Sequence, residues 1–83
     1  MNESIRELLT KVGGLPTPVA DITDDADLYS AGLSSFASVQ LMLGLEDKFD
    51  IEFPDQYLNR KSFASIKAIE QTITQILKDK EAA

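Results

Sequence analysis

The sequence predicts a small all-α bundle: three main helices, one short helix and a long loop between the first two. Apolar residues recur at helical spacing in three separate stretches. Glycine and proline fall between those stretches, where they end or bend a chain. The length of 83 residues and a hydrophobic share of 43% suit one domain spanning residues 1–83.

Ile5, Leu8, Leu9 and Val12 fall at i, i+3, i+4 and i+7 and mark one face of the first helix. Arg6, Glu7 and Lys11 lie on its other face, and Gly13-Gly14 ends it. Leu15 to Ala31 reads as a loop containing Pro16, Pro18 and an acidic run from Asp21 to Asp27. Leu15, Val19, Ile22 and Leu28 are expected to pin it. A connection this long is uncommon in a compact domain and is often functional.

The second helix is expected from Ser35 to Phe49. Leu41, Leu45 and Phe49 form its core face, with Met42 at the edge. Phe36, Val39 and Leu43 form a second apolar stripe, although a surface helix needs only one. The Phe36 ring fits equally beneath the loop or beside the serine pair. Gly44 sits mid-helix at a cost of about 0.5–1 kcal/mol relative to alanine, which close packing against a neighbour would explain.

Ile51-Glu52-Phe53-Pro54 reads as an extended exit, and Pro54 to Leu58 as the short helix. Ser62 is the expected N-cap of the final helix. Phe63, Ile66, Ile69, Ile73, Ile76 and Leu77 give that helix its stripe, and Lys78 and Lys80 suit its C-terminal end. The tail Glu81–Ala83 is expected to fray.

Composition narrows the chemistry. The chain has no cysteine and no histidine, so it lacks a thiolate, the commonest general base and the commonest metal ligand. No base, metal set or nucleophile pair is visible, which argues against an enzyme. The net charge of −6 argues against nucleic acid and suits basic patches on proteins. Met1 to Glu7 has no basic region and no apolar run of the signal-peptide kind, and no segment reaches membrane-spanning length. A cytoplasmic monomer is expected.

The acidic residues Asp21, Asp24, Asp25 and Asp27 lack the central glycine and distal glutamate of a calcium loop, and read as solvated. Arg60-Lys61 fits an exposed basic pair better than a phosphate contact.

The stretch Gly32-Leu33-Ser34-Ser35-Phe36 places hydroxyls where a helix begins. The positive end of the helix dipole favours a phosphate there. From the residues alone, a simple helix cap fits as well. The two roles are compatible if Ser34 caps and Ser35 is modified.

Leu28-Tyr29-Ser30-Ala31-Gly32-Leu33-Ser34-Ser35-Phe36, with Val39, Leu41 and the run Leu45 to Asp55, resembles an acyl carrier protein. The resemblance extends from Ile5 to Leu77. It implies that Ser35 carries covalent 4′-phosphopantetheine, donated from coenzyme A by a phosphopantetheinyl transferase. It also implies a terminal thiol that holds cargo as a thioester. Leu33, Ser34, Phe36, Val39, Gln40 and Leu43 are the expected partner-binding residues.

One departure stands out. Ser34 replaces the family's usual aspartate, and no charged side chain occurs from Tyr29 to Leu45. Positions such as Ser34, Ala37 and Gln40 are uncharged where fatty acid carriers have carboxylates. This implies docking by shape and apolar contact, with charge steering from Glu46, Asp47, Asp50 and Glu52. Within the family the chain most resembles the small carriers of rhizobia and related bacteria that receive amino acids. That implies glycine or alanine as cargo, loading by a ligase resembling a truncated seryl-tRNA synthetase, and a downstream acceptor enzyme. Two alternatives are a specialised fatty acyl or polyketide carrier, and an unmodified helical adaptor binding through the second stripe.

Overall fold

The computed structural model describes residues 1–82. Three α-helices form the bundle: α1 Asn2–Val12, α2 Ser35–Phe49 and α3 Ile66–Ala82. Short 3₁₀ turns occupy Val19–Asp21, Asp55–Tyr57 and Arg60–Phe63. The expected short helix at Pro54–Leu58 is the second of these turns. Of the tail expected to fray, Glu81 and Ala82 continue α3, and Ala83 lies outside the described residues.

Each helix turns its predicted apolar face inward. Ile5 and Leu9 of α1, Leu41 and Leu45 of α2, and Ile66, Ile69 and Ile73 of α3 are buried together in one core. Leu8, Val12, Phe49 and Leu77 pack at its edge. Phe53 and Phe63 close one side, their ring centroids 5.4 Å apart. A Cβ at Gly44 would meet Leu8 Cδ2 at 3.1 Å, so α1 and α2 do approach closely there.

The long loop is tied down more firmly than its composition implies. Ile22 and Leu28 are buried in the core. The Arg6 guanidinium donates to the carbonyls of Val19 and Ile22 at 2.7 and 2.8 Å, and to Asp24 at 2.6 Å. Asn2 bridges Asp24 and Glu70 at 2.9 and 3.0 Å, joining the loop to α3. Asp21, Asp24, Asp25 and Asp27 are all exposed, as a solvated acidic run requires, and Asp24 in addition ties the loop to Arg6 and Asn2. Among the described residues no cluster of His, Cys, Asp or Glu is placed to hold a metal.

The start of the last helix also differs from expectation. Ser62 is not its N-cap. The Asn59 side chain instead accepts from the Ser62 amide at 3.0 Å and caps the Arg60–Phe63 turn. Ser65 Oγ then accepts from the Ala68 amide at 3.0 Å, at the start of α3. Asn59, Ser62 and Ser65 are all favourable caps, so composition does not choose among them. No described helix is long and apolar enough to cross a membrane.

Candidate functional site

The site is built where the loop becomes α2. Gly32 has φ +116, a conformation that side-chain-bearing residues rarely adopt. A Cβ there would also lie 3.0 Å from Pro16 Cδ. The turn at Gly32 sends the next residue inward. Leu33 is 4% exposed, and its amide donates to the Leu28 carbonyl at 2.9 Å. Leu33 is thus a core residue, which corrects its expected place among the partner-binding residues. Ala37 is buried as well and offers no surface position.

Ser34 lies in extended backbone, and its Oγ accepts from the Ala37 amide at 3.0 Å. Ser35 is the first residue of α2 and is exposed. The nearby serines are engaged: Ser30 Oγ donates to Asp27 at 3.0 Å, and Ser38 Oγ to the Ser35 carbonyl at 2.8 Å. Among the described residues, the Ser35 hydroxyl has no hydrogen-bond partner.

The amides at the start of a helix have no partner within it. Here the Ala37 and Ser38 amides are taken by Ser34 Oγ and the Ser34 carbonyl. Those of Ser35 and Phe36 have no partner among the described residues. They present positive partial charge beside the free hydroxyl.

A cleft of about 400 Å³ opens next to Ser35. Ser38, Val39 and Met42 form its α2 wall, and Tyr29, Arg60 and Phe63 face them. Arg60 lies over the Tyr29 ring at 4.1 Å from the centroid. Lys61 lines a different cleft, so the basic pair is divided between two surfaces. Leu58 and Asn59 complete the lining. Leu58 is exposed, and sequence reasoning had assigned it no role beyond the short helix.

The second stripe of α2 faces outward. Phe36, Val39 and Leu43 are 73%, 52% and 55% exposed. Neither the loop nor the core covers them, so Phe36 is a surface residue. Gln40 is also exposed. Leu43 leads into a second, larger cleft, whose acidic lining includes Glu46, Asp47, Asp50, Glu52 and Asp79. The uncharged start of α2 therefore grades into an acidic end.

Asp27 is held below the ordinary carboxylate range, chiefly by the Ser30 hydroxyl, with help from backbone amides and the Arg60 charge. It stays ionised and fixes the Tyr29–Ser30 turn, through which the cleft wall is oriented.

Residues 3–76 match the family described as "Phosphopantetheine attachment site". The chain belongs to that family. Its cofactor is covalent 4′-phosphopantetheine. The chain is 74% identical over 83 residues to an aminoacyl carrier protein of Agrobacterium fabrum, with all of both chains covered. It is 36% identical over 64 residues to aminoacyl carrier protein 1 of Bradyrhizobium diazoefficiens, covering 77% of this chain and 71% of that one.

Two solved structures are informative. One is engineered Bradyrhizobium japonicum glycine:[carrier protein] ligase complexed with carrier protein from Agrobacterium tumefaciens and AMP. It matches with TM-score 0.87 at 74% identity, covering 89% of this chain and 99% of that one. The other is Bradyrhizobium japonicum glycine:[carrier protein] ligase complexed with glycylated carrier protein. It matches with TM-score 0.73 at 31% identity, covering 86% and 95%.

The residues present suit the family's cofactor. The free Ser35 hydroxyl and the cationic side chain of Arg60 border one cleft, and the amides of Ser35 and Phe36 lie at the start of the same helix. Such an arrangement favours a phosphate at the root of an arm.

Proposed function

We propose that this chain is a single-domain aminoacyl carrier, without catalytic activity of its own, that bears its arm on Ser35. The observation that carries the reading is the Ser35 hydroxyl, which stays exposed and unbonded while Ser30, Ser34 and Ser38 are engaged. Full-length similarity to an aminoacyl carrier protein supports amino acid cargo. Glycine is the favoured cargo, because the similar carrier chains occur in complexes with a glycine:[carrier protein] ligase. Alanine is the next candidate.

The attached group supplies a terminal thiol that holds the amino acid as a thioester. The chain's own residues do the rest. Ser34 fixes the first turn of α2 and so the direction of the Ser35 Cα–Cβ bond. The open amides of Ser35 and Phe36 favour the phosphate by helix polarity. Phe36, Val39, Gln40 and Leu43 offer a neutral docking surface. Partners are a phosphopantetheinyl transferase, a glycine:[carrier protein] ligase resembling a truncated seryl-tRNA synthetase and a downstream acceptor enzyme. The carrier acts as a cytoplasmic monomer. A flexible arm raises the effective concentration of cargo at the acceptor's site.

The test is a two-step intact-mass experiment. Coenzyme A and a promiscuous phosphopantetheinyl transferase are added first, then ATP, glycine and the ligase. The expected result is a gain of phosphopantetheine followed by a gain of one glycyl group. No first gain on folded protein favours the adaptor reading. A first gain without aminoacylation, but with acyl-chain elongation, favours a fatty acyl or polyketide carrier.

A further inference from the structure

The cleft beside Ser35 contains one cation among its lining residues, Arg60, and that cation lies against an aromatic ring. Arg6, Lys11, Lys67 and Lys80 each lie within salt-bridge distance of a carboxylate. Among the described residues Arg60, like Lys48, Lys61 and Lys78, makes no such ion pair, but of these four only Arg60 borders the cleft beside Ser35. Its guanidinium instead lies 4.1 Å from the centre of the Tyr29 ring. A guanidinium held against an aromatic ring keeps its edge N–H donors available, and loses little rotamer freedom when it binds an anion.

The fold aims this group. Asn59 caps the turn that carries Arg60, with its Oδ1 3.0 Å from the Ser62 amide. Asp27 accepts from the Tyr29 amide at 3.0 Å and sets the ring beneath. Both anchors are local, and Arg60 itself is exposed. Its removal therefore leaves the core untouched. The start of α2 carries no carboxylate. The carboxylate that feels the Arg60 charge is Asp27, which is within salt-bridge distance of no cation among the described residues and is bonded to the Tyr29 amide and the Ser30 hydroxyl.

We propose that Arg60 is the ionic partner of the phosphate carried on Ser35, and that it directs the root of the arm towards the Tyr29–Arg60 wall of the cleft. The inference rests on the carrier reading. It concerns positioning: Arg60 fixes where the arm leaves the protein and takes no part in bond making.

The test compares the apo and phosphopantetheinylated protein by NMR. Intact mass first establishes that the arm is present and fragment spectra place it on Ser35. In the wild-type protein, modification is expected to shift the amides of Tyr29 and Asn59–Phe63 as well as those of Ser34–Phe36. In Arg60→Gln the Ser34–Phe36 shifts persist, the shifts at Tyr29 and Asn59–Phe63 are lost, and the ³¹P resonance moves. Arg60→Lys keeps the charge but not the planar fork, and retains only part of the distal shift. Unchanged thermal midpoints of the apo variants separate this role from a structural one. Absence of the arm from Ser35 overturns the carrier reading and this inference together. An arm on Ser35 with shifts confined to Ser34–Phe36, or a ³¹P resonance indifferent to Arg60→Gln, overturns the inference alone.

Discussion

Leu41 and Leu43 stand two residues apart on the same helix, and their surroundings are opposite. Leu41 is 0% exposed and lies at the centre of the bundle, whereas Leu43 is 55% exposed. The same contrast separates Leu45 from Val39 and Phe36. One apolar face of α2 holds the fold together. The other is left in water on the side of the free serine. A stable monomer has no need of the second face, so its retention fits a partner that covers it.

Substituting the two leucines breaks the comparison most directly. Leu41→Ala is expected to cost about 2–5 kcal/mol of stability through lost burial and a residual cavity. That is a large part of the stability of a domain this size, and urea titration followed by circular dichroism reads it. Leu43→Ala is expected to leave stability within about 0.5 kcal/mol. It should instead lower the ligase's kcat/KM for the carrier by roughly tenfold, the size of a modest interface hot spot. If Leu43→Ala destabilises as Leu41→Ala does, the two faces are not distinct.

Gly44 lies between the two stripes and sharpens the boundary. Alanine there gains helix propensity but requires Leu8 Cδ2, 3.1 Å from the added Cβ, to shift. Leu8 is only partly buried and its end is flexible. A net stabilisation below about 1 kcal/mol is expected, read as a small rise in thermal midpoint.

The smallest effect belongs to the loop, which serves as a control outside both faces. Asp24 sits below its ordinary value of 3.8 because Asn2 and then Arg6 bond its carboxylate. A lowered folded-state value stabilises the protein above 3.8, and that contribution fades as pH falls through the folded value. The thermal-midpoint difference between wild type and Asp24→Asn should therefore shrink as pH falls below 3.8. A difference that grows with acid would refute the role given to Arg6 and Asn2.

Much of this architecture was legible in the residues. The spacing of Leu41 and Leu45 placed the core face of α2, and Gly32 followed by two serines placed its start at Ser35. Leu33 was misread because an apolar residue beside the serine suits docking as well as packing. Only the backbone turn at Gly32 decides which way it points. Ala37 is too small for its face to be read from periodicity. The Arg6–Asp24 staple was invisible because its partners lie far apart in sequence and only the folded loop brings them together. Arg60-Lys61 read better as an exposed basic pair than as a phosphate contact for the same reason: nothing local ties Arg60 to Tyr29 or to the cleft beside Ser35.

The central claim is that Ser35, and no other serine, carries the arm. Fragment mass spectra after treatment with coenzyme A and the transferase test it most directly, applied to wild type, Ser34→Ala and Ser35→Ala. The expected result is phosphopantetheine on the Ser35 fragment in the first two and none in the third. An arm mapped to Ser30, Ser34 or Ser38, or a Ser35→Ala protein that is still modified, would contradict it.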